Sequence, residues 1–215
     1  MMHSGTHPNG ANAPMQWDTL AGGFADPVHD SQAVFRVLLD ALARPARLLR
    51  VAPAPALLAA AQRAGAAPAA LAALYTLCDL DTPVWLGPDN PALSAALRFH
   101  TGAPLAHSPA HAAFAWSAQP EALPPLAQFA LGDAQSPEHS STLLLQVSSF
   151  AGGPTLRLSG PGIQHSTTLA PQGLPARFWQ ERAALSTLAP CGLDVYLVCG
   201  DTLAGLPRTT RVEEL

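Results

Sequence analysis

STLLLQVSSFAGGPTLRLSGPGI, residues Ser141–Ile163, carries the least ambiguous structural signal in the chain. Side chains in a β-strand alternate between faces with period two. Leu143, Leu145 and Val147 therefore share one face, and Leu144, Gln146 and Ser148 the other. In the second half, Leu156 and Leu158 alternate with Thr155, Arg157 and Ser159. Gly152-Gly153 between them suits the positive φ angles of a tight hairpin. Pro154 is tolerated at the start of a returning strand. The pattern predicts two antiparallel strands joined at the glycine pair. It says sheet and is silent on chemistry.

Around this stretch lies a chain of 215 residues, enough for one large domain. Hydrophobic residues make up 48% and charged residues only 12%, against about 25% in an average soluble domain. Abundant Ala and Pro account for part of that deficit, and a covered surface would account for the rest, because interface cores are depleted of charge. The net charge is −4, and the scattered cations form no basic stripe for nucleic acid. All 11 are arginine. A chain without lysine forms no Schiff base, which excludes pyridoxal-phosphate and class I aldolase chemistry. It also lacks the lysine of a phosphate-binding P-loop.

Cys78, Cys191 and Cys199 show no metal or disulfide spacing and are expected as buried hydrophobes. No cation precedes Arg36 and no apolar run follows the N-terminus, so a signal peptide is not expected. Pro, Arg and Gln interrupt every candidate membrane span. A cytoplasmic protein without a membrane partner is the expectation.

Residues 1–22 are rich in Gly, Asn, Pro and His and predict a flexible tail, leaving 23–215 as a single α/β domain. Phe24–Arg44 predicts a helix capped by Asp30 or Ser31 and ended at Pro45, with Val34, Leu38, Ala41 and Leu42 as its apolar stripe, widened by Phe35 and Leu39. A short edge strand is expected at 48–51, and helices at about 55–64 and 68–78. Val84–Leu86 reads as a strand, and Asn90-Pro91 as the start of a helix that stops near Gly102. Strands are expected at 112–116, 163–169 and 193–198. A helix over 175–188 is expected to bury Phe178, Ala184 and Leu185. Helices alternating with short strands predict a layered α/β sandwich with a mixed β-sheet.

Candidate chemistry is sparse. Gly160-Pro161-Gly162 lacks the spacing of a phosphate loop. His107 and His111 are separated by Pro109, which breaks a metal-binding helix. Asp79 and Asp81 suit a turn. Arg98 and His100 close a helix and Arg208 follows a strand, so these three are the candidate anion contacts through arginine's forked donors. A cation at a helix C-terminus also complements the macrodipole without any ligand. No catalytic, cofactor or metal constellation emerges from the residues, which points to a structural or binding subunit.

Several blocks, in order, resemble the PhnH family, a subunit of the bacterial carbon–phosphorus lyase system of phosphonate breakdown. They are FADPVHDSQAVFRVLLDALARP (Phe24–Pro45), LCDLDTPVWL (Leu77–Leu86), LRFHTGAPL (Leu97–Leu105), LLLQVSSFAGGPTLRLSGPGI (Leu143–Ile163), GLDVYLVCG (Gly192–Gly200) and LPRTTRVE (Leu206–Glu213). The departures are the longer N-terminal tail and the loops near 55–70 and 117–140. The resemblance implies a sandwich similar to the large domain of pyridoxal-phosphate transferases, without the cofactor site. It implies a complex with PhnG, PhnI and PhnJ. With PhnG, PhnI and PhnL, the system is held to form ribose 1-phosphonate 5-triphosphate from ATP and a phosphonate, before PhnJ cleaves the carbon–phosphorus bond. It assigns no catalytic residue and no cofactor to this subunit.

Two functions follow as expectations. The first is a non-catalytic subunit required for assembly, a homodimer when alone, favoured by low charge and an exposed strand edge near the hairpin. The second is direct contribution of Arg98, His100 and Arg208 to an ATP or phosphonate site.

Overall fold

The computed structural model describes residues 22–215; of the expected tail, only Gly22 lies within that range. Helix α1, Pro27–Ala43, starts where proline can donate nothing and need not. Its cap is Asp26, not Asp30 or Ser31: the Asp26 carboxylate accepts the backbone N–H groups of Val28 and His29, both at 3.0 Å. Those bonds, the His29 amide foremost, hold the Asp26 carboxyl below its ordinary pKa. β1 (Leu49–Arg50), α2 (Pro55–Arg63), α3 (Pro68–Leu77), β2 (Val84–Gly87) and α4 (Pro91–Thr101) follow. Asn90 caps α4 by accepting from Leu93 N at 3.0 Å. After α4 come β3 (Phe114–Ser117), β4 (Thr142–Gln146), β5 (Leu156–Ser159), β6 (Thr167–Leu169), α5 (Ala176–Leu185), β7 (Asp194–Cys199), β8 (Thr202–Leu206) and β9 (Arg211–Glu214).

Six strands form one mixed sheet in the order β1-β8-β7-β4-β3-β2. β2, β3, β4 and β7 run parallel, while β8 opposes both β7 and β1. Period-two alternation splits the strands between two cores. Trp116, Leu144 and Tyr196 stand in register and face α1–α4. Their neighbours Ala115, Leu143 and Val195 face the opposite way, onto Leu123, Leu126, Phe129, Phe178 and Trp179. Each fully buried leucine here contributes roughly 2 kcal/mol of hydrophobic stabilisation.

The winding of the chain reverses at β2. From β2 it passes through α4, on the α1–α3 side, to Leu105, which bridges Val84 in parallel on the outer edge. It then returns inward to β3 and continues to β4 and β7 with its connections packed on the other face. That second face is covered by the irregular segment 118–141, by α5 and by a small antiparallel sheet in the order β6-β5-β9.

The expected hairpin at Gly152-Gly153 is absent. β4 pairs with β3 and β7, and β5 pairs with β6 and β9, so the two strands belong to different sheets. The physical reason is burial on both faces. Leu143, Leu144 and Leu145 are all 0% exposed, so β4 needs a strand on each side and a layer on each face. The alternation itself holds: Leu143, Leu145, Val147, Leu156 and Leu158 meet in one core, and Leu144 enters the other. The glycine pair serves a close approach instead. Residues 148–153 clasp 170–172 through Ser148 N to Gln172 O (2.9 Å), Gln172 N to Ser149 O (2.9 Å) and Gly153 N to Ala170 O (3.0 Å). A Cβ on Gly153 would stand 2.0 Å from Pro171 O.

Other differences are smaller. α5 buries Phe178, Trp179 and Arg182, whereas Ala184 is exposed and Leu185 only half-buried. Cys78 is buried as expected, but Cys191 and Cys199 are half-buried. Among the described residues no single helix is long and apolar enough to cross a membrane. The α2–α3 pair has the length and composition, but it is bent by 102° and its Leu57, Ala61, Leu71 and Leu74 are fully buried.

Candidate functional site

In open α/β sheets, ligands favour the crevice beyond the carboxyl ends of the parallel strands, near the point where winding reverses. This chain has a cleft of about 300 Å³ there, over the ends of β3 and β4 and one strand in from the reversal. Ala118 and Pro120 follow β3; Gln146 ends β4, with Val147 and Ser148 just beyond; Glu121 and Gly173 complete the wall. Gln146 is held by its own fold. Its Oε1 accepts Ala67 N at 2.8 Å and satisfies a free donor at the start of α3. Ser148 Oγ donates to Gln172 O at 3.0 Å. Arg177 stands behind the wall, donating to the backbone oxygens of Leu123 and Glu121 and pairing with Glu181 at 3.3 Å. Among the described residues no cation lines the cleft itself.

Three anion contacts were expected, and they occupy different settings. Arg98 is exposed on the last turn of α4. His100 is half-buried and turns toward α3, its ring centroid 4.6 Å from that of Tyr75, and the Phe24 ring meets Tyr75 edge-on at 6.3 Å. Gly23, Pro27, Ser31, Thr76 and these rings enclose a hollow of about 370 Å³. Burial pushes the Tyr75 hydroxyl up to about 12, and that hydroxyl has no hydrogen-bond partner among the described residues.

Arg208 lies elsewhere, beyond the end of β8. It embraces Asp194 at the start of β7 and donates Nη1 to Pro137 O at 2.6 Å. Below it, the wholly buried Arg182 donates to the carbonyls of Leu193 (3.2 Å), Leu206 (2.9 Å) and Pro207 (2.6 Å). Burial lowers the Arg182 guanidinium to about 10, opposed by the Asp194 carboxylate. Asp194 thus carries two arginines that tie α5, β7 and β8 together. His111 is bound to Ser108 Oγ at 2.8 Å in a short turn. Among the described residues no three His, Cys, Asp or Glu side chains gather as metal ligands.

Glu121, Gln146 and Ser148 were not singled out by sequence. A signal existed for Gln146, the one amide in an otherwise apolar run on an interior strand. Nothing local marks Glu121, which reaches the cleft only through the fold of the 118–141 segment.

Fold and cleft define an α/β protein with a mixed sheet wound on both faces. Residues 22–213 match the family model described as bacterial phosphonate metabolism protein (PhnH), and the chain belongs to that family. It is similar to the alpha-D-ribose 1-methylphosphonate 5-triphosphate synthase subunit PhnH of Rhizobium meliloti (strain 1021), with 40% identity over 200 residues, 92% of this chain and 98% of that one. It is also similar to the putative C-P lyase subunit protein HtxG of Stutzerimonas stutzeri, with 43% identity over 82 residues, 38% of this chain and 42% of that one.

Proposed function

We propose that this chain is a non-catalytic subunit of a carbon–phosphorus lyase assembly, acting with PhnG, PhnI and PhnL in forming ribose 1-phosphonate 5-triphosphate and associating with PhnJ. The observation that carries this is the 40% identity to a named synthase subunit across 98% of that subunit's length. An apolar stripe on the outer side of α1 supports a docking role: Val28, Phe35 and Leu39 are 61%, 44% and 53% exposed. The same stripe suits a homodimer when the chain is alone, and the setting is the cytoplasm. The sheet order, with β8 opposing its neighbours, supports kinship with the large domain of pyridoxal-phosphate transferases without their cofactor site.

The test is co-purification. Only this chain is tagged, it is expressed with its genomic neighbours, and the product is weighed by native mass spectrometry. A stoichiometric complex with the lyase subunits is the expected result. A chain that emerges alone overturns the assembly role.

A second reading is favoured by one residue. Arg98 is exposed and makes no ion pair with any described residue, which leaves its donors open to a phosphate or phosphonate beside His100. Arg208 joins that reading only if an anion displaces Asp194. An Arg98→Ala chain that still assembles but whose complex loses activity would support it; unchanged activity would sink it.

A further inference from the structure

Arg182 is only 5% exposed, yet it makes no ion pair with any described residue. The Asp194 carboxylate acts on it through space, but that carboxylate is bonded by the Nε, Nη2 and backbone N–H of Arg208. The Arg182 fork ends instead on the carbonyl oxygens of Leu193 (3.2 Å), Leu206 (2.9 Å) and Pro207 (2.6 Å). Those bonds occupy Nη1 and Nη2. The Nε–H is buried and has no partner among the described residues. Thr210, 2% exposed, likewise buries a hydroxyl without a partner. The two residues meet at one atom: Pro207 O accepts Arg182 Nη2 at 2.6 Å and the Thr210 N–H at 2.9 Å. One turn earlier on the same face of α5, Trp179 Nε1–H is a third buried donor without a partner.

Arginine is almost never fully buried unless it is paired. A buried charge is costly unless an opposite charge and hydrogen bonds meet it. Carbonyl oxygens supply the hydrogen bonds here and no full charge. Arg182 and Arg208 together bring two positive charges to one carboxylate, so one positive charge is left over in the interior. The lowering of the Arg182 guanidinium to about 10 by burial, only opposed by Asp194, has the same origin. A water on Nε would complete the hydrogen bond and leave the charge. A single negative ion does both. Nε–H can only donate and the threonine hydroxyl can rotate to donate, which suits an acceptor that brings no protons of its own. The closed interior around both atoms favours a monatomic ion over a carboxylate or a phosphate. We propose that Arg182 Nε–H and the Thr210 hydroxyl hold one small monovalent anion, a halide such as chloride, between α5 and the turn that joins β8 to β9. The site belongs to this chain alone and does not rest on the assembly role.

The experiment is thermal unfolding of the full chain in sodium chloride, sodium bromide and sodium gluconate, mixed to one ionic strength. Chloride and bromide should raise Tm by about 2–4 °C once the halide exceeds its dissociation constant several-fold. Gluconate, too large for a closed interior, should not. Thr210→Val keeps the branched shape and removes the donor, so the halide shift should vanish. Thr210→Ser returns the hydroxyl and should restore it. A crystal of the parent chain soaked in bromide should show an anomalous peak beside Arg182 Nε. Equal Tm values in the three salts overturn the proposal. So does a halide shift that Thr210→Val retains, or a water without anomalous signal at that position. If Thr210→Val does not fold, the bromide crystal of the parent decides. Co-purification with partner subunits is a separate readout, so failure here and failure of the assembly role are told apart.

Discussion

Arg208 and Asp194 form a two-pronged ion pair between the end of β8 and the start of β7, with Nη2 to Oδ2 at 2.6 Å and Nε to Oδ2 at 3.2 Å. The Arg208 backbone N–H adds a bond to Oδ1 at 2.8 Å. The two side chains are only 18% and 19% exposed. With Arg182 buried beneath, one carboxylate balances two guanidinium groups.

Unequal costs are predicted for the two halves of this pair. Asp194→Asn leaves both arginines without a counter-ion and should lower stability by about 3 kcal/mol. Arg208→Ala leaves Asp194 still facing Arg182 and should cost less. Urea unfolding of the two variants checks the order. Equal or negligible losses would show that Arg208 is not held for structure.

Gln146 links β4 to the start of α3, so its replacement should be felt in stability before any ligand is considered. Gln146→Ala strands the Ala67 N–H and should cost about 1–2 kcal/mol. Gln146→Glu keeps the acceptor and should lose less. Thermal melts of the two variants read the difference, and identical melts would remove the helix-start role of this side chain.

Close backbone approach predicts two intolerant glycines. A Cβ on Gly153 would sit 2.0 Å from Pro171 O, and one on Gly205 would sit 2.5 Å from the Ala41 carbonyl, where α1 crosses β8. Each Gly→Ala change should destabilise by a few kcal/mol, about the scale of overpacking a core. Hydrogen exchange separates them: Gly153→Ala should loosen the 148–153 and 170–172 clasp, and Gly205→Ala should loosen α1. Protection unchanged in those segments would contradict the packing described.

Cys78 should be the slow thiol. Burial pushes it from 9.0 up to about 12, with a further rise from the Asp79 carboxylate. Alkylation at neutral pH should modify the half-buried Cys191 and Cys199 first, and Cys78 only on unfolding. The same shift carries a sign for stability. Between pH 9 and 12 the folded thiol keeps a proton that the unfolded one has lost. The contribution is therefore complete below pH 9 and is lost as pH rises toward 12. Tyr75 acts in the same direction, from 10.0 to about 12, again chiefly through burial. Cys78→Ala should flatten the alkaline decline in denaturant-unfolding curves, and an unchanged slope would exclude the thiol as its source.

Local periodicity made much of the fold legible. The alternation of Leu143, Leu144 and Leu145, the proline starts of α2 and α3, and the Asn90 cap are properties of neighbouring residues, and each appears where sequence places it. The start of α1 was visible only approximately, because Asp26, Asp30 and Ser31 are all plausible caps and the choice depends on where the chain enters the helix. Sequence by itself therefore determined most of the helices and central strands, while the closing strand β9 and the buried face of α5 were not read from it. It also excluded lysine-dependent chemistry outright.

Tertiary structure alone decided the partners. Ser141–Ile163 could not announce that its two strands join different sheets, since period two states the face of a side chain and not the neighbour across the backbone. Arg208 looked open until folding set Asp194 beside it from 14 positions away. Glu121, Gln146 and Ser148 become one cleft only when β3 and β4 lie side by side in register. Strand order and the convergence of distant side chains arise from long-range packing, where each layer must bury what the next leaves exposed, and that condition is met by the whole chain and by no short stretch of it.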